Sequence, residues 1–307
     1  MLQTTNTILM IRPVHFRMNE QTAVNNYYQK KNDHLLPSAL TKKAQNEFDA
    51  YVEKLRSFGI HVIVVLDTKE FDTPDSLFPN NWISFHEEGT VAMYPMFAEN
   101  RRLERREDVL EQVENEGFLI ENIVDYTIAE EDDIFLEGTG SMILDRVNKI
   151  CYAARSFRTN EIVLEDFCSQ IKYELVVFSA FQDANNERLE IYHTNVMMCI
   201  ANNYSIICLD SIDSEIDKQI VLKSLKDDNK EIIEISEIQL NSFAGNMIEL
   251  LYKNISFLVM SSQAYKSLSK LQIQKIEKFS KIIQSNVETI ENCGGGSVRC
   301  MIAEVFN

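Results

Sequence analysis

Five residues of differing chemistry recur along this chain at nearly one spacing. Asn81, Glu137, His193, Asn246 and Cys300 follow one another at 56, 56, 53 and 54 residues. A thiol is a nucleophile, an imidazole carries protons, a carboxylate holds N–H groups or cations, and an amide offers both donor and acceptor. Taken singly, each has an ordinary structural explanation. Free cysteine is among the most buried residue types, a lone histidine is commonly a satisfied core residue, and asparagine serves caps and turns. A shared register changes the reading, because equivalent positions of one repeat are brought to a common place. Cys300 is the last beat of that register. It follows Cys293-Gly-Gly-Gly-Ser-Val-Arg299, where three glycines let the backbone adopt φ > 0 and approach another group closely. The glycine run is no phosphate loop, since the Gly-Lys-Ser/Thr that should follow is missing.

The elements that would position these residues are legible from periodicity. Thr5 to Ile11 reads as a buried strand stopped by Arg12-Pro13, and a long polar loop follows to about Pro37. Leu40 to Phe58 has helical spacing and ends at Gly59, and Ile60 to Leu66 is a strand. A hairpin is expected at Trp82–His86 and Thr90–Tyr94, then a charged helix from Asn100 to Glu116, then a strand from Phe118 to Tyr126. The arginines of Arg101-Arg-Leu-Glu-Arg-Arg106 read as a solvated face, with Glu104, Glu107 and Asp108 among them. The order recurs with hairpins at Ser141–Leu144/Ile150–Ala154, Leu189–Ile200/Ser205–Leu209 and Met247–Tyr252/Ile255–Met260. Their helices are expected at Thr159–Cys168, Ser214–Lys226 and Gln263–Gln284. The closing strands are expected at Tyr173–Ala180, Glu231–Ser236 and Val287–Glu291. The N-terminal unit lacks the first strand of its hairpin, which Met301 to Phe306 would supply. Five units joined through the termini predict a ring forming a single domain over residues 1–307, because closure leaves no repeat face uncapped.

Composition narrows the class of function. The chain has 307 residues, 45% of them hydrophobic, and can bury a sizeable core. A net charge of −17 argues against nucleic acid or an anionic membrane as partner. No apolar run reaches membrane-spanning length, and Met1 to Thr7 carries no basic or apolar signal region. The six cysteines are scattered without a CxxC, as reduced thiols of a cytoplasmic protein would be. His15, His34, His61 and His86 are not spaced as ligands, so no metal or cofactor is expected. A homo-oligomer is compatible with this composition.

The ordered set Met10-Ile-Arg-Pro13, Phe78-Pro-Asn-Asn-Trp82, Phe135-Leu-Glu-Gly138, His193-Thr-Asn195, Phe243-Ala-Gly-Asn246 and Gly294-Gly-Gly-Ser-Val-Arg-Cys300 resembles the pentein, or amidinotransferase/arginine deiminase, superfamily over nearly the whole chain. Within it the chain is most similar to the citrulline-utilisation hydrolase type. The resemblance implies a five-bladed α/β propeller of pseudo-fivefold ββαβ units. It implies Cys300 as nucleophile, His193 as general acid and base, and Glu137 as a carboxylate beside the reacting carbon. Ureido and guanidino carbons are resonance-stabilised and poorly electrophilic, so their cleavage needs a thiolate, a proton for the leaving nitrogen and an S-linked intermediate.

Departures from the family pattern bear on substrate. Relatives that act on guanidinium commonly have carboxylates at the positions of Asn81 and Asn195. Neutral amides there suit an uncharged ureido group, which an unpaired carboxylate would not. Citrulline hydrolysis to ornithine, CO2 and ammonia is therefore the leading expectation. Asn81, Asn195 and Asn246 are expected to touch the substrate. Arg12 and Arg299 are candidates for its carboxylate, each equally able to be a structural ion-pair partner. Asn19, Thr22 and Asn26 could cover it as a lid, or belong to an ordinary polar loop. The alternatives are an arginine-type deiminase or amidinotransferase, and, outside enzymology, a non-catalytic ring that binds a partner.

Overall fold

The computed structural model describes residues 2–184 and 186–306; Met1 and Asn307, the ends of the expected domain, lie outside them. Strand β1 (Thr7–Arg12) is a buried apolar run paired in parallel with β2 (His61–Leu66). The helix Pro37–Ser57 joins them. Proline stands in its first turn, and it buries Leu40, Ala44, Phe48, Tyr51, Val52 and Leu55 as one apolar stripe. Next, β3 (Ile83–Phe85) runs antiparallel to β4 (Thr90–Met93), which takes β5 (Asn122–Asp125) in parallel. The same arrangement returns in β6 (Met142–Asp145), β7 (Ile150–Arg155) and β8 (Glu174–Ser179). A separate hairpin, β9 (Phe181–Ala184) with β10 (Glu187–Glu190), interrupts the series. It resumes with β11 (Met198–Ile200), β12 (Tyr204–Ile207) and β13 (Glu231–Glu234), then β14 (Ile248–Tyr252), β15 (Ile255–Ser261) and β16 (Lys281–Ser285). Finally β17 (Ala303–Val305) returns to pair antiparallel with β1, supplying the strand missing from the first unit. Five three-stranded sheets thus share one pattern, an antiparallel pair extended by a parallel strand, in a mixed α/β fold.

Local chemistry accounts for the punctuation. Asn160 and Ser214 cap their helices through side-chain oxygens, at Ile162 N and Asp217 N. Between β14 and β15, Lys253 and Asn254 both take left-handed φ (48° and 63°), the mirror-image turn that matches the twist of a hairpin.

Four expected elements differ. The helix expected over Gln263–Gln284 is two short helices, Ser262–Ser267 and Lys270–Glu277, followed by β16. Ser269 forms a capping box with Gln272, which starts a new helix and breaks the first. Val287–Glu291, expected as a strand, falls instead on the helix Glu288–Gly294. The strand expected over Leu189–Ile200 is cut in two, because Leu189 pairs with Gln182 in the extra hairpin and Thr194–Val196 forms a helical turn. The charged helix likewise splits into Glu99–Arg102 and Glu107–Asn115.

These irregularities position the site. A short turn precedes each of three first strands: Pro79–Asn81 before β3, Gly138–Ser141 before β6, and Thr194–Val196 before β11. The second of these packs against the other two. The residues at the register positions therefore approach one another, while the strands behind them are anchored in apolar clusters between the sheets. Among the described residues no helix is long and apolar enough to cross a membrane.

Candidate active site

Cys300 is buried in the turn that follows the triple glycine. That turn has little room for side chains. Gly295 has φ +64°, and a Cβ on it would stand 2.6 Å from the Asn26 amide; one on Gly296 would stand 2.8 Å from the Phe78 ring. Two amides donate towards the sulfur, Asn246 Nδ2 at 3.2 Å and Asn195 Nδ2 at 3.5 Å. Asn246 is held in that orientation, since its Oδ1 accepts from Arg299 N and its Nδ2 also donates to Asn195 O. Burial pushes the thiol up, and a backbone bond from Ser297 with the Asn246 amide, Arg299 and Asn195 pulls it partly back.

His193 and Glu137 form a buried pair, with Nε2 2.8 Å from Glu137 Oε2. Burial lowers the imidazole to about 4 against the opposing pull of Glu137, so the free site holds a neutral histidine at pH 7. Burial alone would raise Glu137. Arg158, His193 and Arg101 outweigh it and hold the carboxyl well below the usual range. The other Glu137 oxygen accepts from Phe97 N at 3.0 Å. Tyr192 lies against the imidazole with ring centroids 4.7 Å apart, and its hydroxyl donates to Gly295 O at 2.7 Å.

Two buried arginines complete this shell. Arg101 donates from Nη1 to Asn81 Oδ1 at 2.7 Å and from Nε and Nη2 to both oxygens of Glu104 at 2.9 Å. Arg158 donates to Glu137 Oε2 at 3.3 Å, to Thr22 O at 2.9 Å and to Asn25 Oδ1, and its guanidinium lies over the rings of Tyr192 and Phe97. Asp75 Oδ2 accepts from Asn19 Nδ2 and Thr22 Oγ1, each at 2.9 Å, whereas its buried Oδ1 has no partner among the described residues.

The long first loop lies over these groups. Asn26 Nδ2 donates to Gly295 O at 3.2 Å, Gln29 Nε2 to Gly294 O at 3.0 Å and Lys30 N to Asn292 O at 2.7 Å. Beneath it remains a cavity of about 10 Å³, walled by Asp75, Asn81, Arg101, Arg158, His193 and Cys300 among others. Tyr192 lines both this cavity and an outer hollow of about 780 Å³.

The structure thus brings Cys300, His193, Asn81 and Asn26 to one cavity, with Glu137, Asn195 and Asn246 bonded to its walls and Asn19 and Thr22 bonded to Asp75. Arg12 and Arg299, candidates for the substrate carboxylate or for structural ion pairs, do not line it, and each is held in an ion pair. Arg12 makes a two-pronged pair with Asp49, at 2.7 and 2.8 Å, on the partly exposed side of the helix Pro37–Ser57. Arg299 turns to Ile302 O and Glu304 beside a different small hollow. Arg101, read as part of a solvated face, is 2% exposed. Arg158, Asp75 and Tyr192 were not foreseen. For Arg101 a faint signal existed in the i,i+3 pairing with Glu104, but such spacing does not tell a buried pair from an exposed one.

Among the described residues no group of three or more His, Cys, Asp or Glu could hold a metal ion, and all six cysteines are unpaired. A buried thiol, a neutral imidazole and a compensated carboxylate around one space can together carry nucleophilic and proton-transfer chemistry.

The sequence profile described as N,N dimethylarginine dimethylhydrolase, eukaryotic, matches residues 12–307. No curated protein matches the chain. Among solved structures, the N-terminal domain of ArgZ, an arginine dihydrolase from the ornithine-ammonia cycle in cyanobacteria, in a cysteine-to-serine variant bound to substrate, is similar with a TM-score of 0.75 at 16% identity over 98% of each chain. AgrE in complex with ornithine and NAD+ gives 0.74 at 17% identity, over 98% of this chain and 39% of that one. A dimethylarginine dimethylaminohydrolase variant carrying an S-methyl-L-thiocitrulline adduct gives 0.64 at 16% identity, over 97% and 98% of the two chains. The likenesses identify the fold as that of the pentein superfamily, and the profile match places this chain in the N,N-dimethylarginine dimethylhydrolase family of enzymes that hydrolyse C–N bonds.

Proposed function

We propose that this chain is a cysteine hydrolase of ureido amino acids, with citrulline as the substrate that the site fits best. The carrying observation is the polarity of the reacting end. Asn81, Asn195 and Asn246 surround Cys300 with amides, and the carboxylate there, Glu137, is already matched by His193, Arg158 and Arg101. A guanidinium brought to this end would find no uncompensated charge, whereas a ureido group, with one acceptor and three N–H donors, finds complementary partners. The same cavity also carries groups for the amino-acid end. Arg101 and Arg158, which reach Glu137 as well, suit an α-carboxylate, and the unpartnered Asp75 Oδ1 suits an α-ammonium.

In this reading His193, neutral at rest, takes the Cys300 proton as sulfur bonds to the ureido carbon. The tetrahedral adduct collapses when His193 returns that proton to the departing nitrogen. A thiocarbamate on Cys300 remains, and water deprotonated by His193 displaces the sulfur. The resulting carbamate loses CO2, so one citrulline and one water yield ornithine, ammonia and CO2. Glu137 holds the imidazole and stabilises its charged form. The five sheets are read as blades of one five-bladed propeller over residues 1–307, closed where β17 pairs with β1. Unpaired thiols suit a cytoplasmic location.

A second reading is hydrolysis of arginine or a methylated arginine. It is favoured by the family's description, by the relatives named as acting on arginine, and by Asp75 Oδ1, which could accept from a guanidinium. Offering citrulline, arginine and dimethylarginine in parallel and following ornithine, citrulline, ammonia and dimethylamine separates them. Ornithine with ammonia from citrulline at the highest kcat/KM is the expected result; dimethylamine release, or faster turnover of arginine, would overturn it.

A further inference from the structure

We infer that Glu104, which does not line the cavity, is a specificity-determining positioning residue: through Arg101 it fixes the amide of Asn81 with its N–H group towards the reacting end. This rests on the ureido reading above and extends it to a residue outside the cavity.

The chain of contacts is short and directional. Glu104 is 3% exposed, and both its oxygens are taken by Arg101, Oε1 from Nε and Oε2 from Nη2, each at 2.9 Å. Burial raises the Glu104 carboxyl, and the two bonds from Arg101 oppose that rise. With Nε and Nη2 committed there, and Nη2 also donating to Phe78 O at 3.1 Å, Arg101 presents Nη1 to Asn81. A guanidinium has donors and no acceptor, so the Asn81 atom 2.7 Å from it must be oxygen. The amide nitrogen is thereby forced to the other side. It donates one proton to Asn80 Oδ1 at 3.2 Å and lies against the Cα of Gly140, where the His193 ring also stands. Its second N–H is left for a ligand. A ureido oxygen accepts that proton; a guanidinium, which has donors alone, does not. The arrangement therefore reads substrate class by amide orientation as well as by absence of charge.

The test is the ratio of kcat/KM for citrulline to that for arginine in the full chain and in Glu104→Gln and Glu104→Asp. Glutamine sets a donor against a donor at Arg101, frees the guanidinium to turn towards Asp75 or Glu137, and lets the Asn81 amide flip. The ratio should fall about tenfold or more in Glu104→Gln, mostly through citrulline, and stand between that value and wild type in Glu104→Asp, which keeps the charge on a shorter stem. An equal loss for both substrates in Glu104→Gln would reduce Glu104 to a support of Arg101 and overturn the inference. Should Glu104→Gln fail to fold, an unchanged ratio in Glu104→Asp would overturn it equally. A wild type preferring arginine would instead defeat the ureido reading; Glu104 would then be judged by whether its variants move the ratio at all.

Discussion

Two pairs of arginines in this molecule look alike as sequence and behave differently as structure. Arg12 and Arg299 stand within the motifs that carry the resemblance, yet each ends in a local partnership, with Asp49 and with Glu304. Arg101 and Arg158 come from a charged helix and a Ser-Phe-Arg-Thr turn, yet both are buried against the catalytic cavity and touch Glu137. What separates the pairs is where each guanidinium is directed and, for Arg12, how much water it keeps. Arg12 is partly exposed, so its bond to Asp49 contributes little, and the buried Arg299 spends its donors on Ile302 O and Glu304, away from the cavity. Around the cavity, the guanidiniums of Arg101 and Arg158 with Glu137, Glu104 and Asp75 lie within one dry region, where losing any partner leaves a charge unmatched. The inner pair thus borders the candidate site, and the outer pair is joinery.

The sharpest way to break the comparison is at its centre. Replacing Cys300 with serine should lower turnover more than about a thousandfold, because an alcohol at neutral pH has almost no anion to attack with. Substantial residual activity in steady-state assays would mean that the thiol around which the inner shell is built is not the nucleophile.

Next in size is the contrast between the arginines themselves. Arg158→Ala removes a partner of Glu137, Asn25 and Thr22, a loss of about 3–5 kcal/mol for a buried pair, and should lower kcat/KM by about a hundredfold or more, chiefly through KM. Arg12→Ala should leave kcat/KM unchanged and cost under about 1 kcal/mol in denaturant unfolding. Similar kinetic losses in both variants would erase the distinction.

Gly140→Ala probes how tightly the inner region is drawn. A Cβ there would meet the Asn81 amide nitrogen and stand 2.8 Å from His193 Nδ1. Displacing those groups should cost about a hundredfold in kcat with a modest change in melting temperature. Normal kinetics would show that the inner shell is looser than its distances imply.

The smallest effect concerns protonation. Burial raises the Cys300 thiol above its ordinary value and lowers His193 to about 4, so at rest the pair is thiol and neutral imidazole. Thiolate grows as pH rises towards the raised value. Alkylation of Cys300 by iodoacetamide, followed by peptide mapping, should therefore accelerate steadily from pH 7 to 10. A plateau reached by pH 8 would reveal a thiolate–imidazolium pair already formed in the free enzyme.

Much of the frame was legible because it is local and repeated. The alternation of hairpins, helices and closing strands follows from periodicity and turn residues. That β17 completes the first sheet followed from counting strands. The elements that went astray had their own local signals. The Ser269–Gln272 capping box was readable and outweighs the helical spacing around it. The β9–β10 hairpin contains Leu189, whose apolar character served equally well for a longer strand.

By itself, the sequence determined which chemical groups are available at the repeat positions and that a thiol, an imidazole, a carboxylate and amides share one register. Periodicity carries that information, since it depends on neighbours three, four or some fifty residues away. The tertiary structure alone decided which charges matter. Arg158 meets Asn25 across 133 residues, and Asn19 and Thr22 meet Asp75 across more than fifty. Whether a guanidinium or carboxylate acts in a site or dissolves in solvent depends on the water removed around it, and that is set by contacts no local pattern encodes.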